Sequence, residues 1–141
     1  MKKEIITQTV INATPTKVWS VLTDFNKYTE WNPFIEYVIG DVTLGNSIKV
    51  KLGGTTFKPK VTAFDKNKSF AWLGHLGFKG VFDGAHKFEL IDNADGTTTF
   101  VHSEQFNGIL VGLLAKKLDT EITDNFKAMN EALKNRVETM S

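Results

Sequence analysis

The sequence contains no cysteine. That excludes disulfide staples, thiol nucleophiles and every metal site built on cysteine sulfur, and it fits a reducing compartment. No segment approaches the roughly eighteen consecutive apolar residues of a membrane-spanning helix, so no membrane insertion is expected. Charge of one sign is missing too: 17 Lys and Arg stand against 16 Asp and Glu, a net charge of +1. A partner held through its phosphates would call for a basic excess, so no nucleic acid is expected. The chain has no glycine-rich phosphate loop, no serine in a nucleophile elbow and no His-Glu-x-x-His helix. Its opening, Met1-Lys2-Lys3-Glu4-Ile5, lacks the apolar run of a signal peptide, and the expected location is cytoplasmic.

What the chain does have is rings: eleven Phe, three Trp and two Tyr in 141 residues. They can fill a core or line a pocket. It also has one long amphipathic stretch, from Ile109 to Val137. Leu114, Leu118, Ile122, Phe126, Met129, Leu133 and Val137 follow at steps of four, four, four, three, four and four, the spacing of one helical face. Lys116, Lys117, Glu121, Asp124, Lys127, Glu131, Lys134 and Glu138 carry both signs on the solvated side. Such a helix runs roughly 40 Å, and an element of similar length must cover its stripe. Gly112 argues that the regular helix begins only after it, since glycine inside a helix costs up to ~1 kcal/mol relative to alanine.

Between the ends the pattern is mostly strand. Glu4 to Ile11 is rich in β-branched residues. Thr14-Pro15 then reads as a helix cap and first helical residue, opening a helix to about Asp24, and Phe25, Tyr28 and Trp31 suggest a short second helix ended by Pro33. Six more strands follow: Phe34 to Ile39, Ser47 to Leu52, Thr55 to Phe64, Ser69 to Gly74, Ala85 to Asp92 and Thr98 to Phe106. Short links between them make an antiparallel meander with one apolar face, and nothing marks a second domain. The whole of 1–141 reads as one domain.

One hairpin register matters for chemistry. Ala94-Asp95-Gly96 suits a three-residue loop, a type I turn closed by a left-handed glycine. That sets Leu90 beside Phe100, Phe88 beside His102 and His86 beside Glu104, all on the inner face.

The chain resembles the START and Bet v 1-like (SRPBCC) superfamily, in particular its polyketide cyclase/dehydrase-like branch. The resemblance rests on Thr14-Pro15 with Val18-Trp19, Leu22-Thr23-Asp24, Tyr28 and Trp31-Asn32-Pro33-Phe34. It continues through Trp72-Leu73-Gly74, Phe82-Asp83-Gly84 with His86 and Phe88, Glu104 with Phe106 and Gly108, and Phe126 with Ala128-Met129-Asn130 and Ala132-Leu133. It implies an α+β helix-grip fold: a seven-stranded curved antiparallel sheet wrapped around the long C-terminal helix, with two short helices after strand 1. It also implies a cavity between sheet and helix that holds a hydrophobic or amphipathic small molecule.

Within that frame the aromatic positions assigned to the cavity are Trp31, Phe34, Trp72, Phe88, Phe100 and Phe106. The polar anchors are His86, His102 and Glu104, and Leu114, Leu118 and Ile122 form the helix wall. Core packing is the competing role for each ring. His86 and Glu104 are the candidate catalytic pair, the imidazole as base and the carboxylate orienting it; the alternative is a buried pair that only anchors a ligand. His75, His86 and His102 lie on successive strands without converging, so neither metal nor cofactor is expected. Glycines from Gly74 to Gly84, Gly77 and Gly80 among them, suggest a movable loop or an irregular connection. Three function classes result: a ligand-binding protein, monomeric or homodimeric; a cyclase or dehydratase-like enzyme; and, more weakly, a chaperone-activating type of interaction module, for which the sequence offers no exposed apolar patch.

Overall fold

The structure is a computed structural model describing residues 2–76 and 78–140. β1 (Lys2–Ile11) leads into α1 (Pro15–Leu22), a 3₁₀ turn (Phe25–Lys27) and α2 (Tyr28–Trp31). The Thr14 hydroxyl accepts from the Lys17 N–H and Pro15 takes the first helical position, the cap and proline signals acting together. The strands β2 (Ile35–Ile39), β3 (Lys49–Leu52), β4 (Thr55–Phe57), β5 (Lys60–Asp65), β6 (Ser69–His75), β7 (Asp83–Asp92) and β8 (Thr98–Asn107) follow. The chain closes with α3 (Val111–Lys117), a π-helical segment (Leu118–Ile122) and α4 (Thr123–Thr139).

The strand count corrects the sequence reading of seven. Among the described residues eight strands form two antiparallel sheets, one ordered β1-β8-β7-β6-β5 and one ordered β2-β3-β4. The expected strand from Thr55 to Phe64 breaks at Lys58-Pro59. A proline has no N–H for a ladder and constrains the residue before it, so the strand cannot run through. A bridge between Ser47 and Lys60 joins the sheets across the break. With this revision the architecture is still that of a curved antiparallel sheet gripping a long terminal helix.

Two smaller expectations change. The helix starts at Val111, with Gly112 in its first turn, where a glycine disturbs no interior packing. The Asn93 N–H donates to the Thr97 carbonyl at 3.1 Å and closes a three-residue loop, but Ala94 as well as Gly96 sits at positive φ, 63° and 88°. It is therefore not a type I turn; the Asp92 carboxylate accepts the Ala94 N–H at 2.9 Å and supports the strained residue. The Gly77 position of the glycine-bearing loop lies outside the described residues.

The hairpin register itself is as read: Leu90 faces Phe100, Phe88 faces His102 and His86 faces Glu104. Those strands sit at the centre of the larger sheet, so their inner face meets the helix. Phe126, Met129, Leu133 and Val137 are fully buried against it, and Val18, Trp19, Val21 and Leu22 close one end of the core.

Candidate functional site

A cavity of about 100 Å3, partly open to solvent, lies between the two sheets and the helix. Its walls are almost wholly apolar. Phe34 enters from the segment after α2, held by Asn32, whose side-chain oxygen accepts the N–H groups of Phe34 and Ile35 at 3.0 and 2.8 Å. Val50, Leu52 and Phe57 come from the smaller sheet, Trp72 from β6, Phe82 from the loop before β7, Phe106 from β8 and Ile122 from the π segment. His86 and Glu104 supply the polar end.

These two groups sit opposite each other on β7 and β8, with His86 Nδ1 3.5 Å from a Glu104 carboxyl oxygen. Gly84, two residues before His86 on the same face, makes the space. A Cβ at that position would collide with the Glu104 carboxyl group.

The far side of the His86 ring is committed. Its Nε2 lies 2.6 Å from Nε2 of His102, and His102 Nδ1 lies 2.9 Å from the Asn130 side-chain oxygen. Asn130 donates its amide to the Thr7 hydroxyl at 2.8 Å, and Thr7 donates to the His102 carbonyl at 2.9 Å. Both imidazoles are enclosed by rings: His102 stacks on Phe126 at 4.1 Å between centroids, and His86 on Phe88 at 4.5 Å.

Burial sets the charge states. Desolvation, then the neighbouring His102, holds His86 well below the usual histidine range. Desolvation lowers His102 to about 3, against hydrogen bonds to Asn130 and the Phe126 backbone that pull upward. Glu104 is pushed up to about 8 by desolvation. At neutral pH the cluster is thus uncharged, a proton-bearing carboxyl beside two neutral imidazoles. An acid and a base whose pKa values are driven apart can exchange a proton with a bound molecule.

Six of the residues assigned to the cavity from sequence line it: Phe34, Trp72, His86, Glu104, Phe106 and Ile122. Phe88, Phe100, His102 and Leu118 are instead buried in the core behind that wall. Leu114 is half-buried against the core, and Trp31 packs edge-on against Tyr28 at 5.1 Å. Two of the three histidines do converge, contrary to the sequence reading, because side chains one residue pair apart on adjacent strands reach each other diagonally. His75 is apart, with its Nδ1 2.6 Å from an Asp83 carboxyl oxygen. That bond, with the Gly80 amide, holds the Asp83 carboxyl below the usual range.

Sequence reasoning quoted Asn130 only for the resemblance and did not assign it to the site, although the signal was present: a carboxamide four residues after Phe126 and three before Leu133 falls inside the apolar stripe. It also missed three exposed apolar groups. Phe78, Ile109 and Leu113 are 84%, 79% and 81% exposed. The loop and helix start that carry them are tied by hydrogen bonds from Ile109 N to Gly80 O and from Leu110 N to Val81 O, 3.1 and 3.0 Å.

The family model for polyketide cyclase / dehydrase and lipid transport matches residues 3–138. The chain belongs to this family. Solved structures share its fold. A hypothetical protein of Helicobacter pylori has a TM-score of 0.83 at 15% identity over 96% of this chain and 88% of its own. The Zhui aromatase/cyclase of Streptomyces sp. R1128 gives 0.77 at 17% identity, over 98% of this chain and 94% of its own. A START superfamily protein of Mycobacterium smegmatis gives 0.72 at 19% identity, over 98% and 99%. At these identities the likeness is one of fold. No curated protein matches the chain. Among the described residues no helix is long and apolar enough to cross a membrane.

Proposed function

We propose that this polyketide cyclase/dehydrase and lipid transport family member binds a small hydrophobic or amphipathic molecule in the cavity between sheet and helix. The ligand's apolar body packs on Phe34, Trp72, Phe82 and Phe106, and its polar end faces His86 and Glu104. One observation carries the reading: an open, ring-walled space has, among the described residues, its only ionisable lining groups side by side. A cavity that served packing alone would have no use for a carboxyl group kept out of water beside free space. Mass spectrometry of small molecules extracted from the purified protein is expected to find a ring-bearing ligand at near one equivalent. Absence of any ligand, together with no binding of ring-sized probes, overturns it.

The geometry of the pair favours a second reading, a cyclase or dehydratase-like activity on a carbonyl compound. His86 Nδ1 takes a proton from the carbon next to the carbonyl while Glu104 gives its proton to the carbonyl oxygen. The products are an enol, an imidazolium and a carboxylate, so charge and protons balance. Here Glu104 acts as an acid, and the group that orients His86 is His102. Deuterium exchange at the methyl group of acetophenone tests it. Wild-type protein is expected to accelerate exchange, and His86→Ala to abolish it while leaving affinity within about tenfold. Equal loss of binding and exchange reduces His86 to an anchor.

A further inference from the structure

The cluster behind the cavity settles which nitrogen of His86 carries hydrogen, by counting donors. The Thr7 hydroxyl has one hydrogen, and it goes to the His102 carbonyl, which can only accept. The Asn130 atom beside Thr7 must therefore be its NH2, which turns the Asn130 oxygen toward His102. That oxygen only accepts, so His102 carries its hydrogen on Nδ1. A neutral His102 then presents a lone pair at Nε2, and the 2.6 Å contact makes His86 the donor through its own Nε2. His86 Nδ1, on the cavity side, is left as a bare acceptor. Facing it at 3.5 Å is a carboxyl group with 13% of its surface exposed and, among the described residues, no ion-pair neighbour other than His86. A buried carboxyl without a cation keeps its proton and donates.

At 3.5 Å the acceptor and the donor make no well-formed hydrogen bond to each other, and a single oxygen beside the pair, about 2.8 Å from each, can take one hydrogen bond from the carboxyl and give one to Nδ1. A hydroxyl does both. A carbonyl or ether oxygen cannot satisfy Nδ1, and a hydrocarbon satisfies neither. The space beyond, about 100 Å3 and walled by rings, is of the order that holds one six-membered ring, since an enclosed apolar cavity of ~150 Å3 takes benzene. We propose that Asn130, acting through His102, fixes the tautomer of His86 and so makes the polar end of the cavity a receptor for a neutral hydroxyl group carried on a single aromatic ring. The proposal rests on the cavity being a ligand site; it adds which ligand, and which residue outside the cavity sets that choice. Asn130 is a positioning residue that never touches the ligand.

Phenol, toluene and anisole are the probes, because they share a ring and differ at one substituent. Chemical-shift titration of the wild-type protein near pH 6.5 is expected to give phenol an advantage of at least about tenfold over the other two, the worth of one well-made hydrogen-bonding site. Two-bond 15N–1H correlation is expected to show hydrogen on Nε2 of His86 and Nδ1 of His102. In Asn130→Leu the advantage of phenol is expected to shrink to within about threefold while toluene binds as before. Equal binding of phenol and toluene overturns the hydroxyl site and leaves the cavity reading standing. If no probe binds, the cavity reading for ring-sized ligands falls as well. The opposite tautomers, or an undiminished phenol advantage in Asn130→Leu, overturn the role of Asn130. Should Asn130→Leu not fold, the wild-type tautomers and the probe ranking decide.

Discussion

Gly84 and Glu104 share one volume, and each constrains the other. A methyl group at position 84 overlaps the Glu104 carboxyl, so Gly84→Ala is expected to destabilise the protein by about 1–3 kcal/mol. If that overlap is the cause, Gly84→Ala with Glu104→Ala recovers most of the loss, and urea unfolding of the four proteins gives a coupling energy of order 1 kcal/mol or more. Additive effects would place the strain elsewhere. Glu104 also has a signature in pH. Its folded pKa of about 8 is raised from 4.5, so the folded state holds a proton that the unfolded chain releases. Its contribution is full below 4.5 and is lost as pH rises to 8. Glu104→Gln is therefore expected to gain stability over wild type progressively through that window, by a few kcal/mol at its upper end. A difference independent of pH would mean that Glu104 is ionised in the fold. The pairing of His86 with Glu104 was legible in the sequence, because alternation and a three-residue loop fix both register and face. The tautomer was not, since it depends on Thr7 and Asn130, which come from opposite ends of the chain.

At the scale of elements, the π-helical segment explains an irregularity in the stripe. Leu114, Leu118, Ile122 and Phe126 are separated by three successive steps of four, and in a regular α-helix each such step overshoots a full turn by roughly 40°. Left uncorrected, Leu114 would be carried more than a quarter-turn away from Phe126. The wider turn at Leu118–Ile122 takes up the drift, with the Thr123 hydroxyl donating to the Leu118 carbonyl at 2.8 Å. Deleting the exposed Thr120 removes the residue that the wide turn absorbs: eleven α-helical residues bring Leu114 to within about 20° of Phe126, so an unbroken α-helix keeps α3 in register. Val111, which is 1% exposed, then stays in the core. The expected result is a change in stability within about 1 kcal/mol, with amide protection in α3 retained. Loss of that protection would show that the segment has no such role. The stripe that defines the helix was plain in sequence, as were the strands. Their division at Pro59 was legible in principle, and the alternation of Val61 and Ala63 with Lys60 and Thr62 masked it.

For the molecule as a whole, three buried groups impose opposite pH slopes. His86 and His102 refuse protons that their unfolded counterparts accept below 6.5, so their contribution falls away as pH drops through that value. Glu104 erodes stability from 4.5 upward. Two histidines outweigh one carboxyl on the acid side, which places the maximum from these groups near pH 6.5. Denaturant titrations are expected to show that maximum in wild type and a plateau on its alkaline side in Glu104→Gln.

The cluster also carries a consequence for how the chain assembles. Thr7 meets His102 across 95 positions, and Asn130 meets Thr7 across 123. The first strand to leave the ribosome waits for β8, and the carboxamide that completes the chain of hydrogen bonds comes later still. Contacts so distant in sequence form slowly and late. Protonation of His86 on Nε2 is therefore a marker of completed folding, and in a refolding experiment it should appear only after the β7–β8 hairpin amides are protected.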